Sequence, residues 1–226
     1  MSDRHRVSVV MPVKDGERYM AEALDSVVAQ TYAPHEIVVV DGGSADRSRE
    51  IARSYAGVDV IQQRGTGFAG AWNEGVAASG GDVLAFIDSD DLWEPTKLER
   101  QVECFRARPE VDYVITTMRF FTDVEGPLPP GFRPELLDGD HVANMPSALA
   151  IRREAFDAVG PFRTDYTIAN DIDWFARAKD QSLTLAVLPE VLMRKRVHDA
   201  NLSLTAAGRL NEEILDLLRQ SVARQA

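Results

Sequence analysis

DVLAFIDSDD, residues 82–91, joins an apolar run directly to an acidic one. Val83, Leu84, Ala85, Phe86 and Ile87 are unbroken by any polar residue. This is the pattern of a short strand buried on both faces of a parallel sheet. The run stops at Asp88, Ser89, Asp90 and Asp91. Carboxylates crowded at the end of a buried strand repel one another and are costly to desolvate unless something pairs with them. A hard divalent cation, Mn2+ or Mg2+, is one such partner, because it prefers oxygen ligands and shares them with substrate phosphates. Ligands of open α/β sheets bind beyond the carboxyl ends of the strands, where this cluster falls. The alternative is a solvated acidic turn that caps the next helix, with Asp91 or Glu94 near its first turn.

Outward from this strand the chain repeats one unit. Residues 7–13 (VSVVMPV) read as a first buried strand, and Met20, Leu24, Val27 and Val28 recur at helical spacing within 17–30. Residues 37–40 form the second strand, ending at Asp41, and Ser44 in the turn GGSADRS is placed to cap a helix reaching about Tyr55. Residues 58–62 are a third strand, and 69–79 a helix after the glycines Gly65, Gly67 and Gly70. Strand, loop and helix in alternation predict a parallel sheet with right-handed crossovers, so the fold class is α/β.

Past the acidic cluster, Pro95 starts a helix to about Arg106, and residues 112–121 are β-rich. Residues 123–145 carry five glycines and prolines in their first nine positions and read as a long surface loop of functional kind. Then follow a strand at 147–151, a helix at 153–159 ended by Gly160 and Pro161, a helix at 171–179, a strand at 183–188 and a polar, irregular stretch at 194–203. Leu210, Ile214, Leu217, Leu218 and Val222 mark an amphipathic closing helix, which its mixed-charge polar face assigns to packing. The economical division is one domain over 1–226, with a nucleotide-type half (1–110), an acceptor-type half (111–205) and the closing helix (206–226).

Composition narrows the partners. The 226 residues carry a net charge of −11, which argues against a nucleic-acid backbone and against electrostatic docking on anionic lipid. Arg194, Lys195 and Arg196 are a candidate local basic patch. No apolar run is long enough to span a bilayer, and MSDRHR is no signal peptide. The single cysteine, Cys104, forms no internal disulfide. A cytoplasmic protein is expected, with peripheral contact at the inner membrane face left open.

Other residues carry potential chemistry. Asp41, at a strand end beside glycines, either accepts hydrogen bonds from a base or ribose or turns back on its own backbone. The glycines of GGS do not match GxGxxG, so no dinucleotide site is expected. Asp171 and Asp173, two apart on a helix, do not share a face, so one can enter a site while the other points elsewhere. Each is either a helix cap or a general base. His198, beside Arg196, is either structural or a ligand for metal or phosphate.

Taken together the motifs resemble family-two glycosyltransferases of the GT-A fold over nearly the whole chain. Residues 7–32 resemble the opening strand and helix. EIVVVDGGSADRS (36–48) resembles the first nucleotide motif, with Gly42 at a frequent second aspartate. NEGVAASGGDVLAFIDSDDLWEP (73–95) resembles the segment around the DxD motif. MPSALAIRREAFDAVGPF (145–162), NDIDWFARA (170–178) and RVHDANLS (196–203) resemble the acceptor-side strand, the ED motif and the late R-x-H segment. The resemblance implies that Pro12, Val13 and Asp41 line the nucleoside pocket and that Asp88 faces the nucleotide. It implies that Asp90 holds Mn2+ or Mg2+ under the diphosphate, with His198 on the metal, Arg196 closing over the diphosphate and Asp171 as catalytic base. Asn170 replaces one acid of the ED motif, and losing that like charge should make Asp171 easier to ionise.

The implied reaction is inverting transfer of a sugar from a nucleoside-diphosphate donor, a UDP-sugar by resemblance, to an acceptor hydroxyl. The acceptor classes that fit are a glycan, a lipid-linked glycan, a peptide and a small metabolite. Residues 123–145 and 162–170 flank the expected base and are expected to select it. The rival readings are a nucleotide-sugar binding protein without transfer activity and a metal-dependent nucleotidyltransferase. The second needs a basic triphosphate grip near the first loop, where Lys14 is the only lysine.

Overall fold

The first four strands pair as their sequences require. The computed structural model describes residues 5–123, 125–205 and 207–225, without the side chains at 203, 207 and 221–225. The expected packing of Val222 therefore lies outside the described residues. Strands β1 (Val7–Val13), β2 (Glu36–Asp41), β3 (Val58–Gln62) and β4 (Val83–Phe86) lie in the order β3-β2-β1-β4, all parallel. Successive strand residues face opposite sides, so one apolar run feeds two cores. Val7, Val9, Met11 and Val13 pack with Met20, Leu24 and Val27 of α1 (Met20–Val28). Val10 packs on the other face with Trp72 and Val76 of α3 (Gly67–Ala78). The opening strand divides in the same way: Val83, Ala85 and Ile87 join the first core, Leu84 and Phe86 the second.

The second half adds antiparallel pairs. β4 pairs with β8 (Ala150–Arg152), and β8 with β6 (Tyr113–Phe121). β6 runs parallel to β9 (Leu185–Arg196), and β5 (Leu92–Trp93) closes on β9. β7 (His141–Val142) pairs with β6, giving one nine-stranded mixed sheet. The other helices are α2 (Ser48–Arg53), α4 (Lys97–Ala107), α5 (Arg153–Val159), α6 (Asn170–Asp180), α7 (Leu202–Thr205) and α8 (Ala207–Gln225). Among the described residues no helix is long and apolar enough to cross a membrane.

Four local expectations give way. The strand expected at 147–151 begins with a 3-10 turn at Pro146–Ala148, and β8 starts only at Ala150. The expected 183–188 strand runs to Arg196, because pairing with β6 continues through register shifts at Thr116–Met118. Ser44 does not cap α2; its Oγ accepts from the Asp15 N–H at 3.0 Å and ties down the β1–α1 loop. On α8, Leu217 is buried, but Leu218 is 55% exposed and faces away from the apolar stripe expected of it.

Candidate active site

A cavity of about 490 Å³ opens beyond the carboxyl ends of β1 and β4. Its wall is drawn from distant parts of the chain: Lys14–Gly16 and Tyr19 after β1, Phe68 and Trp72 from α3, Asp88–Asp90 after β4, Thr167, Ile168, Asn170 and Asp171 around the start of α6, and Lys195 with His198–Leu202 at the end of β9. Asp88, Asp90 and Asp171, expected to act together, therefore line one space.

Asp88, Asp90 and Asp91 each place a carboxylate oxygen within 4.8 Å of the others. The sequence demanded a positive partner for them, and the fold supplies one. Lys195 Nζ lies 3.3 Å from Asp88 Oδ2 and 3.2 Å from Asp91 Oδ2. Asp91 is fully buried. Burial, helped by the charges of Asp90 and Asp88, pushes it up to about 8 against the pull of Lys195. Burial also raises Asp88, with Lys195 opposing and Asp90 adding to the rise. For Asp90, burial is outweighed by the Lys195 charge and the His198 hydrogen bond, so its carboxyl lies below the ordinary range. Lys195 is held well above its ordinary value, because the three carboxylates overcome the effect of burial.

The donor set fits a hard divalent cation. Asp88 Oδ1 is buried without a hydrogen-bond partner, and the cluster is all oxygen. His198 stands one step back. Its Nδ1 accepts from the Ala200 N–H at 3.2 Å, which leaves the proton on Nε2, 2.9 Å from Asp90 Oδ2. In this arrangement His198 orients Asp90. Tyr19 packs on the His198 ring at 4.8 Å between centroids.

Arg196, expected over the diphosphate, lies outside the cavity lining. Its guanidinium pairs with Glu22 and Asp123, sits 4.4 Å from the Tyr19 ring centroid, and donates through Nε to the Asp90 carbonyl at 2.9 Å. It grips the acidic loop from behind. Pro12, Val13 and Asp41 are buried at the ends of β1 and β2, where Val13 registers with Asp41. Asp41 Oδ1 accepts from the Ser44 N–H at 3.1 Å, and Oδ2 lies 2.9 Å from Arg49 Nε. The cavity surface at this end is formed instead by the following residues, Lys14–Gly16.

Asp171 and Asp173 separate as helix geometry requires. Asp173 is fully buried and paired with Arg177 at 2.7 Å, while Asp171 faces the cavity. Burial raises Asp171 to about 6, opposed by the Ile172 N–H and helped by the charge of Asp88. It therefore ionises less readily than a free aspartate, because desolvation is the largest influence on it. Lys195, Tyr19 and the Phe68–Trp72 wall were missed as site residues. The lysine alone had a signal, since a buried acidic cluster asks for a cation from somewhere in the chain.

Comparison with known proteins identifies the family and the fold. The family described as "Glycosyl transferase family 2" matches residues 8–162. An uncharacterized glycosyltransferase of Nostoc sp. is 30% identical over 235 residues, covering 92% of this chain and 70% of the relative. Another, of Rickettsia typhi, is 31% identical over 219 residues, covering 91% and 68%. The mannosyltransferase PcManGT from Pyrobaculum calidifontis, solved with GDP-Man and Mn2+, superposes with a TM-score of 0.75 at 20% identity, over 97% of this chain and 65% of that one. S. aureus TarS 1-349, solved with UDP-GlcNAc, gives 0.73 at 20% identity over 87% of this chain, which spans only 60% of that structure. These structures show the α/β fold to be of GT-A type. With most of its length inside the family match, the chain belongs to glycosyl transferase family 2.

Proposed function

We propose that this cavity transfers a sugar from a nucleoside-diphosphate donor, UDP-linked in the first instance, to an acceptor hydroxyl with inversion at the anomeric carbon. One observation carries the reading: Asp171, far along the chain from Asp88 and Asp90, lines the same cavity as they do. PcManGT with GDP-Man and Mn2+, and TarS with UDP-GlcNAc, support a nucleotide-sugar donor for this fold.

Asp90 and Asp88 are the residues that would hold Mn2+ or Mg2+, with His198 orienting Asp90. When bound, the ion supplies positive charge against the departing diphosphate. The chain adds its own cation there, since Lys195 lines the cavity beside Asp88. Arg196 fixes the acidic loop through the Asp90 carbonyl and the Asp91 carboxylate. Pro12, Val13 and Asp41 support the nucleoside end beneath the Lys14–Gly16 loop. Asp171 takes the proton of the acceptor hydroxyl as it attacks, a contribution of about 10²–10⁴ in rate. The attack comes from the face opposite the leaving diphosphate, and a single displacement inverts the centre.

Incubation with a panel of nucleotide sugars and Mn2+, read by product analysis, tests the reading. Release of UDP or GDP with a glycosylated product of inverted configuration is expected. Pyrophosphate as the product would point to nucleotidyl transfer, and tight donor binding without turnover to a binding protein; either refutes the proposal.

A further inference from the structure

The turn that delivers Asp171 is not capped by its own N-cap residue. Ala169 stands at the N-cap of α6 and offers no side-chain acceptor. The three N–H groups before the helix converge instead on a carboxylate from α8. Thr167 N–H donates to Glu213 Oε1 at 2.8 Å, and Ile168 and Ala169 N–H donate to Glu213 Oε2 at 2.9 Å each. Successive backbone N–H groups folded around one anion form a tight nest, and hydrogen bonds to a charged acceptor are the strong kind. Burial would raise the Glu213 carboxyl, but these donors hold it below its ordinary range.

The same face of α8 makes the neighbouring contacts. Positions 209, 213, 216, 217 and 220 recur at helical spacing. Arg209 donates to Thr167 Oγ1 at 3.2 Å, Asp216 accepts from the Tyr166 hydroxyl at 3.0 Å, and Gln220 accepts from Arg163 at 2.7 Å. Leu217 packs with Tyr166 and Ala169. Thr167 and Ile168 line the cavity, and Asp171 is two residues beyond Ala169.

We infer that Glu213 is a positioning residue for transfer: from α8 it clamps residues 167–169, and so fixes both the wall beside the acceptor and the direction of Asp171. The inference rests on Asp171 being the base. It places α8 inside the working machinery although none of its described side chains is among those lining the cavity. A misplacement of about 1 Å remote from the chemistry can cost 10²-fold.

The test uses the full chain with Glu213→Ala, Glu213→Gln and, as a control at an exposed neighbour, Glu212→Gln. Amide hydrogen exchange, UDP binding with Mn2+, and steady-state transfer are measured on each. Glu213→Ala should exchange about ten-fold faster at 167–169, with the β1–β4 sheet unchanged. Its kcat should fall about 10- to 100-fold, with UDP affinity within about two-fold, since the donor-side cluster is untouched. Glu213→Gln keeps one acceptor oxygen and should lie between, and it serves if the alanine variant does not fold. Unchanged exchange at 167–169, or faster exchange spread evenly through the sheet, would overturn the inference, as would full kcat in Glu213→Ala. Asp171→Asn separates this from the parent reading. Normal transfer by that variant removes the base assignment, whereas the exchange result judges the clamp alone.

Discussion

Asp171 is where protonation and function meet. Burial raises its carboxyl to about 6, and the acting form of a general base is the ionised one. kcat/KM should therefore be level above pH 7 and fall as pH drops through about 6; a profile flat to pH 4.5 would remove Asp171 from the role. The stability sign is opposite. A carboxyl whose folded value lies above its unfolded value favours folding where it is protonated, and this is lost as pH rises through about 6. Asp171→Asn should consequently keep UDP binding with Mn2+, lose most turnover, and gain about 1 kcal/mol in stability at pH 7. Lys195 behaves in the reverse way. Lys195→Met leaves the buried Asp91 and the partly exposed Asp88 beside each other without their cation, at a cost of about 2–3 kcal/mol by thermal unfolding. A variant melting like the parent protein would show that the pair contributes nothing. The need for a cation was legible in DVLAFIDSDD, but which residue meets it was not. Lys195 reaches Asp88 across a separation of 107 residues, and only pairing within the sheet sets that meeting.

At the scale of elements, what the sequence revealed depends on whether local pattern or distant pairing decides the outcome. β1 to β4 and the helices between them were legible because each carries its own apolar periodicity and turn residues. β9 was only half legible. Its last residues, Arg194–Arg196, are polar and look irregular, yet they pair with Arg119–Phe121 of β6. The strand assignment explains why Lys195 and Arg196 part company. Neighbouring strand residues point to opposite faces, so one enters the cavity while the other turns to Glu22 and Asp123. A basic patch at 194–196 is therefore split by the pleat. The packing of α3 shows the same limit, since nothing in GVAA marks Gly75 as a contact point. A Cβ there would come 2.3 Å from Val10 Cγ1 and 3.1 Å from Val40 Cγ2. Gly75→Ala should destabilise by about 1–3 kcal/mol from overpacking, outweighing the helix propensity gained. Val10→Ala in the same chain should recover part of the loss, and additive urea midpoints for the two changes would contradict a direct clash.

Across the whole molecule, stability depends on buried charge as well as on the two apolar cores. Lys97, in the first turn of α4, is fully buried. Its Nζ lies 3.0 Å from Gln101 Oε1 and 3.9 Å from the centroid of the Trp93 ring, and Gln101 in turn donates to the Val114 and Ala148 carbonyls. This polar thread runs beneath the acidic loop, because the Trp93 indole donates to the Ser147 carbonyl and Ser147 Oγ accepts from the Asp88 N–H. Burial drives the Lys97 amine well below its ordinary value. The sign follows from proton linkage. Between the depressed folded value and the ordinary value near 10.4, the unfolded chain binds more protons, so stability falls as pH falls through that window. Lys97→Met keeps the volume and removes the titration, at the loss of one donor to Gln101. Its stability relative to the parent protein should therefore improve between pH 10 and pH 7, by about 1 kcal/mol or more. Urea unfolding at the two pH values measures this directly. A difference between variant and parent that stays the same at both would mean that Lys97 keeps its proton in the folded core.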